Sequence, residues 1–307
     1  MRPVIRTIPS TRRGGLFSGS AAAVADGQVP VSIGTQTAGS TIRPASYCGV
    51  LGYKPTFALI SRAGILNQSR RLDTVGIFSR SLADMAIVAD ELMRFDPTDV
   101  DMSPFGPLRL HEALGTKLLR PPKFIFFETP QWRDASSVGQ QKFMDIIKRL
   151  EGYCDIKKGP TGFDVTNQMQ RMIQYSDIAT NFGKFYDEAP GKIAPEIVEI
   201  IRNGRMNSAV DYVRAVNQRE PIYATVKSYL SQYDAIVCPS AGNTAPVGYS
   251  TGATPDFCAP WTYLGMPVIN VPALDIEGMP FGIQLIGLRG GDRNLFRAAK
   301  WFQDRID

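Results

Sequence analysis

Short apolar runs bounded by glycine or proline alternate along this chain with segments that have the period of amphipathic helices. The runs typical of buried strands are PVSIG from Pro30, KFIFFET from Lys123, YDAIVCPS from Tyr233, PVINVPAL from Pro267 and PFGIQLIG from Pro280. Helices are predicted over 18–27, 81–95, 138–153, 165–188, 195–203, 208–232 and 292–306. Strands that alternate with helices predict an α/β fold, and without a clear linker we expect one domain over residues 1–307.

Composition and charge exclude several classes of protein. Apolar residues make up 44% and charged residues 21%, as in an ordinary globular protein and unlike a disordered or coiled-coil chain. No apolar run approaches the ~18 residues of a membrane helix, so we expect a soluble protein with no membrane partner. The net charge of +5 owes much to Arg2, Arg6, Arg12 and Arg13. No basic stripe with interleaved aromatics follows them, so we expect no nucleic-acid partner.

Cysteine and histidine usage indicates neither a disulfide framework nor a metal site. Cys48, Cys154, Cys238 and Cys258 form no CxxC pair, which favours reduced thiols in a cytoplasmic protein. The sequence has a single histidine, His111, which we expect at the surface, and no cluster of ligand residues. We therefore expect no metal and no cofactor.

One loop is unusually rich in glycine and hydroxyl side chains. It reads GTQTAGSTIRPASYCG from Gly34 to Gly49, and it places Ser40 directly after Thr37, Ala38 and Gly39. Acyl transfer needs an exposed nucleophile beside backbone N–H groups that can stabilise an oxyanion, and small residues leave those groups open. Most loops of glycine and serine are only connections, so the residues alone leave both interpretations open.

Longer motifs around this loop resemble the amidase signature family, serine hydrolases that cleave amide C–N bonds. The resemblance rests on GGLFSGSAAAVADG from Gly14, the loop through GVLGYKP, LDTVGIFSRSLADMAIVADEL from Leu72, and YDAIVCPSAGNTAPVG from Tyr233. It continues in WTYLGMPVINVP and GMPFGIQLIGLRGGD near the C-terminus. The resemblance implies a mixed β-sheet layered between helices.

The resemblance also implies roles for individual residues. Ser40 matches the family's nucleophile, and the backbone amides of Thr37, Ala38, Gly39 and Ser40 match its oxyanion loop. Arg43 is expected to anchor the loop. Cys48 and Lys54 match structural positions, and Met169 and Met172 are expected in the core or a pocket wall. The family uses a Ser/Ser/Lys triad without histidine or metal, which agrees with a chain whose single histidine lies far from these motifs.

The N-terminal part departs from the family pattern. The family's second serine, which relays the proton, corresponds to Leu16, and the next family serine corresponds to Phe17. Ser18 is the nearest hydroxyl and is the candidate substitute relay. The family's lysine lies well before these positions, whereas the first lysine here is Lys54. We expect an atypical segment 1–17 and a missing N-terminal part, from a gene-model error or a decayed gene, and therefore a chain of doubtful catalytic competence.

Three functions follow from these features. The first is an amidase that hydrolyses a small carboxamide or aryl amide through an acyl-enzyme on Ser40, with a homodimer as a possible assembly. The second is a catalytically defective amidase-like remnant or binding protein. The third, less expected, is a glutaminase of the kind found in the glutamyl-tRNA amidotransferase, because that branch usually carries an IRQP run where this chain reads STIRP.

Overall fold

A computed structural model describes residues 18–160, 162–246 and 254–306, and the strands in these ranges form one mixed sheet of eight. The strands are β1 (Val31–Gln36), β2 (Leu51–Lys54), β3 (Thr74–Ser79), β4 (Phe124–Glu128), β5 (Cys154–Lys158), β6 (Ala235–Pro239), β7 (Val268–Ile276) and β8 (Met279–Ile286). Their order is β1-β3-β2-β7-β8-β6-β4-β5. Neighbours pair antiparallel from β1 to β6, and β6, β4 and β5 are parallel. The expected mixed α/β architecture is confirmed.

Helices cover this sheet. They are α1 (Ser18–Ala25), α2 (Ile42–Cys48), α3 (Leu82–Leu92), α4 (Leu110–Gly115), α5 (Ser137–Arg149), α6 (Thr166–Glu188), α7 (Pro195–Met206), α8 (Ala209–Asn217), α9 (Arg219–Leu230), α10 (Ala259–Tyr263) and α11 (Asp292–Ile306). In the three described ranges, no helix combines the length and apolar character needed to cross a bilayer. Both α2 and α11 pack on β7 and β8, and α1 packs on α2 and β1.

The main core lies between the central strands and α11. Tyr53 of β2 meets Phe296 of α11 edge to face, with ring centroids 4.8 Å apart. Phe124 of β4 meets Phe302 of α11 in the same way at 5.8 Å. Burial of such rings, together with the edge-to-face geometry, stabilises the attachment of the C-terminal helix to the sheet.

Several predicted elements are confirmed and others need correction. Helix α3 begins as expected after Ser81, whose hydroxyl accepts a hydrogen bond from the Asp84 amide at 3.0 Å. The segment over 42–48, expected to be loop, is instead helix α2. Pro44 is tolerated there because its missing N–H falls in the first turn, where a helix offers no internal partner. The single helix expected over 208–232 is two helices that meet at Gln218.

Candidate active site

Ser40 stands out within a buried stretch of chain. It follows β1 and lies two residues before the start of α2, at a junction between strand and helix. Every residue in 36–39 and 41–47 is buried, whereas Ser40 is half-buried. The side chain that the sequence predicts to be a nucleophile is therefore the one in this stretch that solvent or a ligand can reach.

Four successive backbone N–H groups, ending at that of Ser40, have no hydrogen-bond acceptor among the described residues, and they are called open below. Among the described residues, the amides of Thr37, Ala38, Gly39 and Ser40 donate no hydrogen bond. The next amides are satisfied, because those of Thr41 and Ile42 each donate to Gln36 Oε1 at 2.9 Å. The Arg43 amide donates to the Gly39 carbonyl at 3.0 Å. The open amides coincide with the four that the resemblance assigns to an oxyanion loop.

In the structure the loop spans residues 37–41, because the residues expected at its start, 34–36, belong to β1. A buried carboxylate holds its first residue, Thr37. The Thr37 hydroxyl donates to Asp73 Oδ1 at 2.5 Å, and Asp73 Oδ2 accepts from the amides of Gln68 and Ser69 at 2.8 and 3.0 Å. Burial raises the pKa of the Asp73 carboxyl, although these hydrogen bonds oppose the rise. Asp73 fixes the Thr37 side chain and so orients the start of the loop.

Two carboxamides and one hydroxyl fix the rest of the loop. Gln36 Nε2 donates to Thr262 Oγ1 at 2.9 Å, and the Thr262 hydroxyl donates to the Ala38 carbonyl at 2.7 Å. Gln170 Nε2 of α6 donates to the Thr37 carbonyl at 3.1 Å. With their carbonyls held from both sides, these peptide groups have a fixed orientation, which is what preorganised stabilisation of an oxyanion requires.

Gly39 allows a close approach between the loop and the segment before α10. A Cβ at this position would lie 3.1 Å from Cys258 Cβ and 3.2 Å from Pro255 Cβ. Any larger residue would push the loop away from that segment. A glycine therefore suits a position where two pieces of backbone pass so closely.

Arg43, the expected loop anchor, is buried in α2 with 8% of its surface exposed. Burial raises the pKa of Tyr47 and of Cys258 to about 12 each, and the nearby Arg43 charge opposes both rises. The guanidinium thus lies between α2 and the segment before α10. Its role in supporting the loop stays a prediction.

The candidate relay and the departing residues lie at the start of the described chain. Ser18 is the first residue of α1 and is half-buried, and α1 packs on α2 through Ala21, Val24 and Ala45. Leu16 and Phe17 lie outside the described residues. The relay assignment to Ser18 stays a prediction.

Lys54 belongs to a different cluster from Ser40. It is fully buried at the end of β2, and its Nζ donates to the Pro55 carbonyl at 2.8 Å. Burial lowers its pKa to about 7, with the Asp292 charge opposing the shift and the charges of Arg219 and Arg289 adding to it. In the described ranges, no hydrogen bond joins Lys54 to the Ser40 loop.

The other residues singled out in the sequence lie in the core or at the surface. Cys48 ends α2 beside the small α1 cluster, and Met169 and Met172 of α6 pack partly buried on the main core. His111 is exposed, as expected. Across the described ranges, His, Cys, Asp and Glu side chains form no group of three that could hold a metal ion.

A narrow aromatic cleft lies next to the loop. It encloses about 10 Å³, room for about one water molecule. It lies at the carboxyl ends of the parallel strands β4 and β6, where open α/β sheets usually bind ligands. It shares the segment 255–262 with the Ser40 loop. Its lining includes Phe126, Trp132, Phe163, Cys238, Phe257 and Trp261.

Sequence reasoning missed the residues that hold the loop. Asp73 lies inside the motif that begins at Leu72, so the family resemblance could have directed attention to it. Gln36 and Thr262 bond across 226 positions, and Gln170 reaches Thr37 across 133. Neither polarity nor spacing in the sequence predicts contacts of that range.

Comparisons with known proteins show the family of this chain. The Amidase family model matches residues 9–296. The chain is 26% identical to a glutamyl-tRNA(Gln) amidotransferase subunit of Halalkalibacterium halodurans and 28% identical to the same subunit of Exiguobacterium sibiricum. These matches cover 67% of each relative, and 96% and 94% of this chain.

Solved structures give the same result. A protein from an inhibitor-bound vestigial complex, described as revealing the origins of an s-triazine catabolic enzyme, superimposes with a TM-score of 0.83 at 25% identity. That match covers 96% of this chain and 68% of the other. An amidase crystal structure has the same fold, with a TM-score of 0.82 at 24% identity, over 97% of this chain and 68% of its own. The chain therefore belongs to the Amidase, or amidase signature, family.

Proposed function

We propose that this chain is a serine amidase that hydrolyses carboxamide C–N bonds through an acyl-enzyme on Ser40. One observation carries the proposal: a half-buried serine adjoins four open backbone amides on a loop whose other polar groups are held by buried hydrogen bonds. A nucleophile beside preorganised N–H donors is the arrangement that acyl transfer needs.

The chemistry follows from this arrangement. The Ser40 oxygen attacks the substrate carbonyl carbon, and the negative charge that forms on the carbonyl oxygen is stabilised by the amides of residues 37–40. The C–N bond then breaks, and the amine leaves with a proton. Water attacks the resulting ester of Ser40, which releases the carboxylic acid and restores the serine hydroxyl.

Removal of the Ser40 proton is the step that needs help, because a serine hydroxyl is a weak nucleophile near neutral pH. We assign the relay to Ser18, the first residue of α1. Leucine at position 16 has no hydroxyl to relay a proton. Leucine at this position supports the second candidate function, a remnant whose N–H groups at residues 37–40 still bind ligands without turnover.

A glutaminase of the tRNA amidotransferase type is the third candidate. Its support is that relatives at 25–28% identity carry the name of that enzyme. Release of ammonia from glutamine would distinguish it from an amidase of other small amides. A small-molecule amide as the partner, a cytoplasmic location and a homodimer stay predictions alongside this function.

A fluorophosphonate probe tests the proposal, because it reacts with an activated serine. We expect labelling at Ser40, identified by mass spectrometry of the digested chain, and none in Ser40→Ala. Ser32→Ala is the matched control, since Ser32 is also half-buried and lies on β1, just before the loop. Labelling that persists in Ser40→Ala would exclude Ser40 as the nucleophile. An unlabelled Ser40 in a chain that still binds amides would favour the remnant.

A further inference from the structure

A cavity of about 170 Å³ lies at the start of the parallel strands β4 and β6. Pro122 and Asp234, which line it, come just before these two strands. The cavity is therefore at the opposite end of β4 and β6 from the aromatic cleft, and its lining within the described ranges includes none of residues 37–41. Its volume admits a small organic molecule rather than a single water.

Arg297 of α11 lines this cavity and has no carboxylate partner. It is half-buried, its Nη2 donates to the Lys117 carbonyl at 3.3 Å, and its Nε is buried without an acceptor among the described residues. In the same ranges Arg297 forms no ion pair. Because Lys117 adjoins the wall formed by 118–122, this contact places the guanidinium between that wall and α11. A charge partly withdrawn from water costs free energy unless an opposite charge compensates it.

The other charged side chains of the lining compensate each other. Arg120 donates to both oxygens of Asp234, at 2.8 and 3.3 Å, and the Lys123 amide donates to Asp234 Oδ2 at 2.7 Å. Two arginines against one aspartate leave the lining with one net positive charge. Arg293, one turn before Arg297 on α11, donates to backbone carbonyls and adds positive charge nearby. The charge balance therefore favours a ligand with one negative charge.

The rest of the lining is mostly apolar. Aliphatic surface comes from Leu118, Leu119, Pro122 and Ala298, and Leu119 is fully exposed. Asn294, which is exposed one turn before Ala298 on α11, is the remaining polar residue. A matching ligand has an anionic end for the guanidinium and an apolar body for the aliphatic side chains, because burial of that body removes apolar surface from water.

We infer that this cavity binds a small organic carboxylate, with the carboxylate group at Arg297 and the hydrocarbon part against Leu118 and Pro122. The planar guanidinium presents its N–H groups in the geometry that a carboxylate accepts. Inorganic phosphate has the charge but no apolar part, so it would leave the aliphatic side chains hydrated. The inference stands apart from the proposed function, because it uses no residue of the Ser40 loop.

Benzoate and nitrobenzene test this on the unsubstituted chain, since they share a shape and nitrobenzene carries no net charge. Affinities are measured by NMR titration, in which the amide signals of Leu118, Leu119 and 294–298 should shift. We expect benzoate to bind at least tenfold more tightly than nitrobenzene, because hydrogen bonds between charged groups are the stronger ones. Inorganic phosphate should bind more weakly than benzoate. These comparisons need no variant and so do not depend on how a variant folds.

Variants then identify the cation. Arg297→Met removes the charge and keeps an unbranched stem, so it should weaken benzoate binding about tenfold or more and leave nitrobenzene nearly unchanged. Arg297→Lys keeps the charge without the planar fork, so its affinity for benzoate should fall between the two. Arg305→Met is the matched control, because Arg305 is exposed on the same helix, lies outside the lining and changes the net charge equally.

Several results would overturn the inference. Equal affinities for benzoate and nitrobenzene, or no binding of either, would mean that the cavity holds no anion. Phosphate that binds as tightly as benzoate would exclude the organic carboxylate as its ligand class. Equal weakening by Arg305→Met and Arg297→Met would show that benzoate responds only to net charge. Signals that shift at 37–40 and not at 294–298 would place benzoate at the Ser40 loop instead.

Discussion

The substitution Gly39→Ala, which adds a single methyl group, tests whether the reactivity of Ser40 depends on the conformation of its loop. The added Cβ would lie 3.1 Å from Cys258 Cβ and 3.2 Å from Pro255 Cβ, so the loop must shift by a few tenths of an ångström. We expect Gly39→Ala to slow fluorophosphonate labelling of Ser40 about tenfold or more, because small displacements of catalytic groups have large kinetic effects.

Gly19→Ala is the control for that variant. Nothing lies within 4 Å of a Cβ at Gly19, which is inside α1, so alanine there should leave labelling unchanged and stabilise the helix by up to about 1 kcal/mol. Equal labelling rates in Gly39→Ala and the unsubstituted chain would show that the reactivity of Ser40 does not depend on the close approach of residue 39 to Pro255 and Cys258.

Lys54 gives a prediction for the pH dependence of stability. Its pKa in the folded chain is about 7, below the usual value of 10.5, so between these values the unfolded state binds more protons than the folded state. Stability therefore rises with pH through this window, by up to about 1.4 kcal/mol per pH unit for one group, and the penalty is full below pH 7.

The measurement compares Lys54→Met with the unsubstituted chain by urea unfolding at pH 7, 8 and 9. We expect the unsubstituted chain to gain stability relative to the variant as pH rises. Buried thiols such as Cys258, whose pKa is raised, act in the opposite direction in both chains and cancel in the difference. Parallel stability curves would mean that Lys54 titrates like an exposed lysine.

At the scale of elements, apolar runs and caps predicted much of the fold, and tertiary contacts account for the rest. The strands β4, β6, β7 and β8 and the helix α11 could be recognised because they have strong local patterns. Strand β3 has glycine in its interior, which weakens the strand pattern, and the reason is distant: a Cβ at Gly76 would lie 2.3 Å from Thr41 Oγ1. Similarly, the start of α2 depends on the side chain of Gln36.

The crossing of α6 and α7 depends on another glycine. A Cβ at Gly204 would lie 2.0 Å from the Tyr175 carbonyl oxygen, which is backbone and cannot move aside without shifting a helix. We expect Gly204→Ala to lower the free energy of unfolding by about 1–3 kcal/mol, as overpacking does. Gly191→Ala, with open space around its Cβ, is the control in the same urea unfolding experiment. Equal midpoints in the two variants would contradict the tight crossing.

At the scale of the whole molecule, the site is assembled from distant parts of the chain. The Ser40 loop is held by α6 through Gln170, by α10 through Thr262 and by the residues before β3 through Asp73. The described strands all join one sheet, which supports our proposal that residues 1–307 form a single domain. The family resemblance predicted Ser40, whereas Gln170 and Thr262, which also hold its loop, lie too far from it in sequence to be recognised.

The proton path to Ser40 is also a property of the whole chain, and its repair tests whether the rest of the site is intact. We expect the 307-residue chain, assayed alone, to turn over aryl amides well below the ~1–10³ s⁻¹ usual for enzymes, because Leu16 leaves the relay to Ser18, two positions further along the chain. Leu16→Ser alone should change little in this chain, since a relay speeds the attack only where a base accepts its proton.

Adding the lysine-bearing N-terminal segment of a relative, together with Leu16→Ser and Phe17→Ser, should raise aryl-amide hydrolysis by about 10²-fold or more, the contribution typical of general base catalysis. The gain should disappear in Ser40→Ala, because the repaired path serves only that hydroxyl. The rate of amine release measures it, and a thermal melt shows that each chimera is folded. A folded chimera that stays inactive would mean that the loop can no longer stabilise the oxyanion. Activity that survives Ser40→Ala would place the nucleophile elsewhere.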